Sequence, residues 1–332
     1  MAKEIQRVGV VGAGAWGTAL ATVAARAGRE TLIWAREAEV VEAINSSHEN
    51  AIFLPGQTLD SAIRATGEMA DLAACDALLL VVPAQHIRDA LPALSEHVKE
   101  GTPVAICSKG IEMKTLTLMS DVMAAGMPQA TCAVLSGPSF AADVAKGLPT
   151  AVTLACADKT AGMALVDALG LPTFRTYYSP DIVGAQIGGS IKNVMAIACG
   201  IVDGEALGDS ARAALIARGF AEMVRLGSSW GAELETLGGL SGLGDLILTC
   251  TSHQSRNYSL GFALGQGKTM EEALEGKKSV AEGVATSWAV ERLADDRSID
   301  MPISKAVATI VSGRSDVKSA IAELLSRPFT VE

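Results

Sequence analysis

The chain has 332 residues, of which 49% are apolar, 19% charged and 4% aromatic. That length suits about two domains, each able to bury a core of its own, and the composition excludes a disordered, collagen-like or coiled-coil protein. Lys and Arg number 27 against 37 Asp and Glu, a net charge of −10, which argues against nucleic acid or an anionic membrane surface as the main partner. Any anionic ligand must then be met by a local cluster of cations.

The opening Met1-Ala-Lys-Glu-Ile-Gln-Arg-Val8 lacks the apolar core and cleavage site of a signal peptide and runs directly into a strand pattern, so a cytoplasmic location is expected. Apolar runs and amphipathic stretches then alternate. The strand candidates are Val8–Val11, Thr31–Trp34, Ala77–Val82, Val104–Cys107, Ala133–Leu135 and Ala151–Leu154. The helix candidates between them are Ala15–Ala27, Glu37–Asn45, Ile87–Val98, Leu116–Ala125 and Thr160–Leu169, several closed by a glycine at 28, 126 or 170. Such alternation predicts an α/β fold, a doubly wound Rossmann-type domain over residues 1–180. From about Asp181 long helical periodicities take over, which predicts a mostly α-helical second domain over residues 181–332. The boundary is expected within Tyr177-Tyr-Ser-Pro-Asp181, with Pro180 in the first turn of a helix. Gly184 to Val202 imitates a membrane span, but it is short, Gly-rich and interrupted by Lys192-Asn193, so it reads as a buried helix of a protein that is not integral to a membrane.

Val8-Gly-Val-Val-Gly12-Ala-Gly14-Ala-Trp-Gly17 places a Gly-x-Gly-x-x-Gly run after the first strand and at the start of the first helix. Gly12 permits the tight turn, Gly14 lets a pyrophosphate approach the backbone, and Gly17 lets helix and strand pack closely, so a dinucleotide is expected on the helix N-terminus. At the end of the second strand, where an NAD site would carry an acid, stand Arg36 and Glu37. Arg36 can clamp a 2′-phosphate and favours NADP, while Glu37 keeps NAD in play.

Ser108-Lys109-Gly110 puts a lysine at the C-terminal end of a strand, where ligands of doubly wound sheets collect. Gly188-Gly-Ser-Ile-Lys192-Asn193 puts a second lysine on a helix among small neighbours, at Ala185, Gly188, Gly189, Ala196 and Cys199. A lysine stripped of hydration there is suited to exchanging a proton with a carbonyl oxygen. Gly239-Leu-Ser-Gly-Leu-Gly-Asp245 supplies a carboxylate in a glycine-rich turn. Ser255 reads as an N-cap, and with Arg256 beside unpaired amides it makes an anion site suited to phosphate. Cys75, Cys107, Cys132, Cys156, Cys199 and Cys250 stand in apolar stretches without Cys-x-x-Cys spacing and are expected to be core thiols. The four histidines have no metal spacing, and no metal is expected.

Taken together, Gly12-Ala-Gly-Ala-Trp-Gly17, Ser108-Lys-Gly110, Leu135-Ser-Gly-Pro-Ser-Phe-Ala141, Gly188-Gly-Ser-Ile-Lys-Asn193, Gly242-Leu-Gly-Asp245, Ser255-Arg-Asn257 and Val280-Ala-Glu-Gly283 resemble the bacterial-type NAD(P)-dependent glycerol-3-phosphate dehydrogenases over nearly the whole chain. The resemblance implies reversible reduction of dihydroxyacetone phosphate to sn-glycerol 3-phosphate, the backbone of phospholipids, by a cytoplasmic homodimer. It makes Lys192 the proton acceptor in the oxidation direction. Lys109, Gly137, Ser139, Lys192, Asp245, Ser255, Arg256 and Asn257 would hold the substrate. Ala15, Trp16, Arg36, Lys109, Ala141, Arg256, Val280 and Glu282 would join the three fingerprint glycines at the cofactor. Ala15 stands where many relatives have serine, which removes one hydroxyl donor near the pyrophosphate. A β-hydroxyacid dehydrogenase also pairs a glycine fingerprint with a lysine on a glycine-bearing helix, but gives no reason for a phosphate site at Ser255-Arg256-Asn257. A nucleotide-sensing module would need neither lysine nor Asp245.

Overall fold

The protein is described here by a computed structural model covering residues 4–275 and 281–328. Contacts divide it into two compact units, residues 1–109 with 118–186, and residues 110–117 with 187–332. The sequence places the change of character at Asp181, whereas the division falls after Gln186, inside a continuous helix.

Unit 1 holds one eight-stranded sheet. Its strands are β1 (Arg7–Val11), β2 (Glu30–Trp34), β3 (Ile63–Thr66), β4 (Ala77–Leu80), β5 (Pro103–Ile106), β6 (Thr131–Ser136), β7 (Thr150–Cys156) and β8 (Phe174–Ser179). They lie in the order β3-β2-β1-β4-β5-β6-β7-β8, parallel except for the antiparallel β6–β7 pair. This is the Rossmann-type architecture expected. Strands β3 and β8 escape the sequence reading because they sit at the two edges: Arg64 and Arg175 face water, so neither segment shows an apolar run. Helices α1 (Ala15–Arg26), α2 (Ala38–Ser47), α3 (Ile87–Ser95), α4 (Met119–Gly126), α5 (Ala141–Ala145) and α6 (Lys159–Leu169) cover the sheet. One face of β1, β4 and β5, with Val10, Leu79 and Ala105, packs with Leu20 and Val23 of α1, and the other, with Leu78, Leu80 and Ile106, packs with Leu91 and Met123 of α3 and α4. Gly28 is left-handed (φ +78°) just past α1, as expected of a helix stop; Gly126 and Gly170 close their helices without that conformation.

Unit 2 is helical. Its elements are α7 (Ile182–Gly204), α8 (Asp209–Ser229), α9 (Leu234–Leu237), α10 (Asp245–Cys250), α11 (Arg256–Gly265), α12 (Met270–Leu274), α13 (Glu282–Asp296), α14 (Pro302–Val311) and α15 (Val317–Leu325). Pro180 stands before α7 rather than in its first turn: Asp181 is the cap, its Oδ1 accepting the Gly184 amide at 2.7 Å, because a short carboxylate satisfies an end amide that proline only leaves out. Helix α7 is long and apolar enough to span a bilayer, yet 89% of its most apolar window is buried inside the protein.

Helices α7 and α11 meet backbone to backbone. A Cβ on Gly200 would lie 2.1 Å from the Tyr258 carbonyl oxygen, one on Gly204 2.4 Å from that of Phe262, one on Gly261 2.0 Å from that of Ile197 and one on Gly265 2.5 Å from that of Ile201. Glycine at four-residue spacing on both helices removes the side chains that would hold the axes farther apart. All six cysteines are thiols. Four are buried and Cys75 and Cys132 are half-buried; burial first of all pushes Cys75 up to about 11 and Cys132 up to about 12, so both stay protonated near neutrality.

Candidate active site

In unit 1 the glycine loop is built as its residue types require. Gly12 has φ +115°, and a Cβ there would press on the Val81 carbonyl at 3.2 Å. A Cβ on Gly17 would lie 1.8 Å from the Gly12 oxygen, while one on Gly14 would meet nothing within 4 Å. Gly14 is the N-cap of α1 and no side chain caps that helix. The helix start thus offers backbone donors and room on the Gly14 side, which fits a pyrophosphate. Ala15 and Trp16 open α1, and Ala141 opens α5, which packs on α1. Arg36, just past β2, has a side chain 83% exposed and reaches its neighbour, Nη2 lying 2.9 Å from Glu37 Oε1.

Past the ends of β5 and β6 in the same unit, Lys109 Nζ donates to the Gly137 carbonyl at 3.2 Å and Ser139 Oγ donates to the same oxygen at 3.0 Å. Gly137 has φ +153°, and a Cβ on it would come within 2.8 Å of the Val152 Cα, so only glycine fits. Lys109, Gly137 and Ser139 therefore lie together in unit 1.

In unit 2, Lys192 on α7 is 6% exposed and Asp245, at the start of α10, is fully buried. Lys192 Nζ donates to Asp245 Oδ1 at 2.5 Å and to Thr249 Oγ1 at 3.1 Å, and Thr249 Oγ1 donates to the same Asp245 oxygen at 3.2 Å. The approach depends on glycine again: a Cβ on Gly188 would lie 2.4 Å from the Ser241 oxygen, and one on Gly242 1.9 Å from the Leu237 oxygen, in the wide turn Leu240–Gly244 that leads into Asp245. Thr249 was not singled out in the sequence. Its signal was present, since 245 and 249 are one helical turn apart on a face that meets Lys192.

Ser255 caps α11, its Oγ accepting the Tyr258 amide at 3.2 Å, and the amides of Arg256 and Asn257 precede the first helical hydrogen bond. Arg256 is exposed. The Asn257 side chain is committed elsewhere: Nδ2 donates to Asn193 Oδ1 at 3.0 Å, and Oδ1 accepts the Gly283 amide at 3.0 Å. Residue 257 thereby ties the start of α11 to the residue after Lys192 and to the start of α13, where Glu282 lies. Tyr258 Oη donates to Asp203, which also pairs with Arg212. Burial first, then that acceptor, pushes the Tyr258 hydroxyl up to about 12. Neither Asn193 nor Tyr258 was assigned a role from sequence, because tethers between helices leave no local pattern. Val280 lies outside the described residues.

Two family profiles match the chain: the N-terminus of NAD-dependent glycerol-3-phosphate dehydrogenase over residues 7–162 and its C-terminus over residues 181–322. The chain belongs to this family. It is 59% identical, over all of both chains, to a protein from Parvibaculum lavamentivorans named glycerol-3-phosphate dehydrogenase, NAD(P)+. It is 58% identical to one of the same name from Caulobacter vibrioides, covering 98% of this chain and 99% of that one. The crystal structure of glycerol-3-phosphate dehydrogenase from Coxiella burnetii superposes with a TM-score of 0.93 at 39% identity, covering 97% of this chain and 99% of that one.

Proposed function

We propose that this dehydrogenase catalyses the reversible NAD(P)H-dependent reduction of dihydroxyacetone phosphate to sn-glycerol 3-phosphate and so supplies glycerol phosphate for phospholipid synthesis. The observation that carries the reading is the tether between chemistry and anion site: Asn257, next to Arg256, is hydrogen-bonded to Asn193, next to Lys192. A proton donor and a phosphate site are thereby held at a fixed separation within unit 2. Membership of the family removes the reason to prefer a β-hydroxyacid, whose carboxylate would leave the helix start at Ser255 without a purpose.

In the reduction direction the Lys192 ammonium donates a proton to the C2 oxygen, and in oxidation the same nitrogen accepts it. Asp245 holds that ammonium in place and takes up its charge, with Thr249 fixing the geometry. Arg256 and the amides that open α11 neutralise the phosphate, and Lys109, Gly137 and Ser139 add polar contacts to the substrate. Gly12, Gly14, Ala15, Trp16, Gly17 and Ala141 would hold the dinucleotide, and the family resemblance adds Glu282. The nicotinamide cofactor, when bound, supplies the hydride. Lysines polarise the carbonyl, so the reaction needs no metal.

Arg36 supports NADP as the favoured cofactor, since its exposed guanidinium can leave Glu37 for a 2′-phosphate. Steady-state reduction of dihydroxyacetone phosphate with NADH and NADPH in parallel tests the whole reading, and turnover of neither would overturn it. Arg36→Ala is expected to weaken NADPH about tenfold, the lower end of a charge-assisted bond because the site is exposed, and to leave NADH within about twofold. The same family likeness supports a cytoplasmic homodimer, which sedimentation at micromolar concentration would check.

A further inference from the structure

Asn50 stands just past α2, outside every motif described above, and is 1% exposed. Its side-chain amide is completely used within unit 1. Nδ2 donates to the Ala13 carbonyl at 2.8 Å and to Thr18 Oγ1 at 2.8 Å, and Oδ1 accepts the Phe53 amide at 3.3 Å. Ala13 lies between the first two fingerprint glycines, and Thr18 follows the third. The Ala13 oxygen also accepts from Thr18 Oγ1, at a longer 3.3 Å, and the Thr18 amide donates to the Gly14 oxygen at 2.9 Å.

We propose that Asn50 is a positioning residue for the dinucleotide, one that sets the orientation of the Ala13–Gly14 peptide. The inference rests on the reading of the glycine loop as the cofactor site. In a trans peptide the carbonyl and the amide point to opposite sides, and the described residues contain no cis peptide. Fixing the Ala13 oxygen toward Asn50 therefore turns the Gly14 amide the other way, away from Asn50, and a Cβ built on Gly14 would meet nothing within 4 Å. Gly12 and Gly14 have few backbone constraints of their own, and a loop free to rotate this peptide would present a carbonyl oxygen to a pyrophosphate in part of its population. Asn50 removes that alternative before the ligand arrives. An asparagine suits the task because it donates two hydrogens and accepts one while adding no charge beside an anion.

The test is titration of the full-length protein with NADPH and NADH, followed by reduced-nicotinamide fluorescence, together with steady-state kinetics. Asn50→Ala is expected to weaken both nucleotides alike by about tenfold, with kcat at saturation and KM for dihydroxyacetone phosphate within about twofold of wild type. Asn50→Asp has the same shape but sets a carboxylate oxygen against the Ala13 oxygen, so it should lose more affinity than the truncation, an order that a purely space-filling role would reverse. Thr18→Val, which deletes one acceptor of Asn50, should weaken both nucleotides less than Asn50→Ala, and the double variant should lose less than the product of the two. If Asn50→Ala does not fold, Thr18→Val and Asn50→Asp decide. Folded variants that bind both nucleotides within about twofold of wild type, or that raise KM for dihydroxyacetone phosphate as much as nucleotide Kd, would overturn the assignment. A wild-type protein that binds neither nucleotide would instead overturn the reading of the loop on which it rests.

Discussion

Glycine at the loops past the strands of unit 1 does different work from glycine where α7 is crowded in unit 2. At Gly12 and Gly137 in unit 1 it supplies backbone conformations with φ of +115° and +153°. At Gly14 it leaves space beside a loop. In unit 2, Gly188, Gly200, Gly204, Gly261 and Gly265 show no such conformation and serve only to let helices or turns touch along their backbones. The first use shapes the loops at which ligands are proposed to bind, and the second places side chains carried by different helices. Two helix starts differ as well. That of α1 has no side-chain cap, whereas that of α14 is filled by buried Glu222 of α8, whose carboxylate accepts the Ile303 amide at 2.6 Å and both the amide and hydroxyl of Ser304, at 3.0 and 2.7 Å. The amides that Glu222 takes up at α14 are not available to an anion from outside, whereas no side chain from the N-cap competes for those of α1.

This contrast can be broken by substitution, and the largest expected effect is at Lys192. Lys192→Ala should lower kcat by about 10²–10⁴-fold, the usual contribution of a positioned acid or base, and leave NADPH affinity unchanged in titration. A variant retaining more than about a tenth of the wild-type kcat would remove the lysine from proton transfer, since even the weakest such role contributes more.

A matched pair of glycine substitutions sharpens the comparison. Gly200→Ala should destabilise the protein by about 1–3 kcal/mol even though alanine is the better helix former, because the new Cβ meets the Tyr258 carbonyl and must push α11 from α7. Its kinetic mark should be a raised KM for dihydroxyacetone phosphate, with nucleotide Kd unchanged. Gly17→Ala collides with the Gly12 oxygen and should do the reverse, raising nucleotide Kd while substrate KM at saturating cofactor stays put. Urea unfolding and steady-state kinetics on both proteins check this, and identical kinetic profiles would show that close packing at the two places does not separate nucleotide from substrate binding.

The smallest effect is a change of slope. Burial raises the Glu222 carboxyl above the ordinary glutamate range, with the bonds from Ile303 and Ser304 opposing it only in part. A raised carboxyl binds more protons in the folded protein than in the unfolded chain. Its stabilisation is therefore present below the ordinary glutamate range and lost as pH rises through the raised value. Glu222→Gln should remove that contribution, so unfolding free energies measured across this window should fall less steeply with pH than those of the wild type. Parallel lines for the two proteins would show that Glu222 titrates alike in both states.

The fingerprint from Gly12 to Gly17, the six central strands and the capping role of Ser255 were legible in the sequence because each is a local requirement. A tight turn favours glycine, a buried parallel strand needs an apolar run, and a capped helix start needs a short polar side chain within three residues of the amide it caps. The edge strands β3 and β8 were hidden by their solvent-facing residues. What only the tertiary structure decided is which groups are hydrogen-bonded across 37 to 64 positions of chain: Asn50 on Ala13, Thr249 beside Lys192, Asn257 on Asn193 and Tyr258 on Asp203. These contacts follow from close packing of elements brought together by folding, and one polar side chain in a helix or loop carries no sign of the distant partner that will satisfy it. The sequence thus determined the kinds of group present and the elements that bear them, while packing determined the geometry among them, because hydrogen-bond partners are chosen by proximity in the folded chain and not by spacing along it.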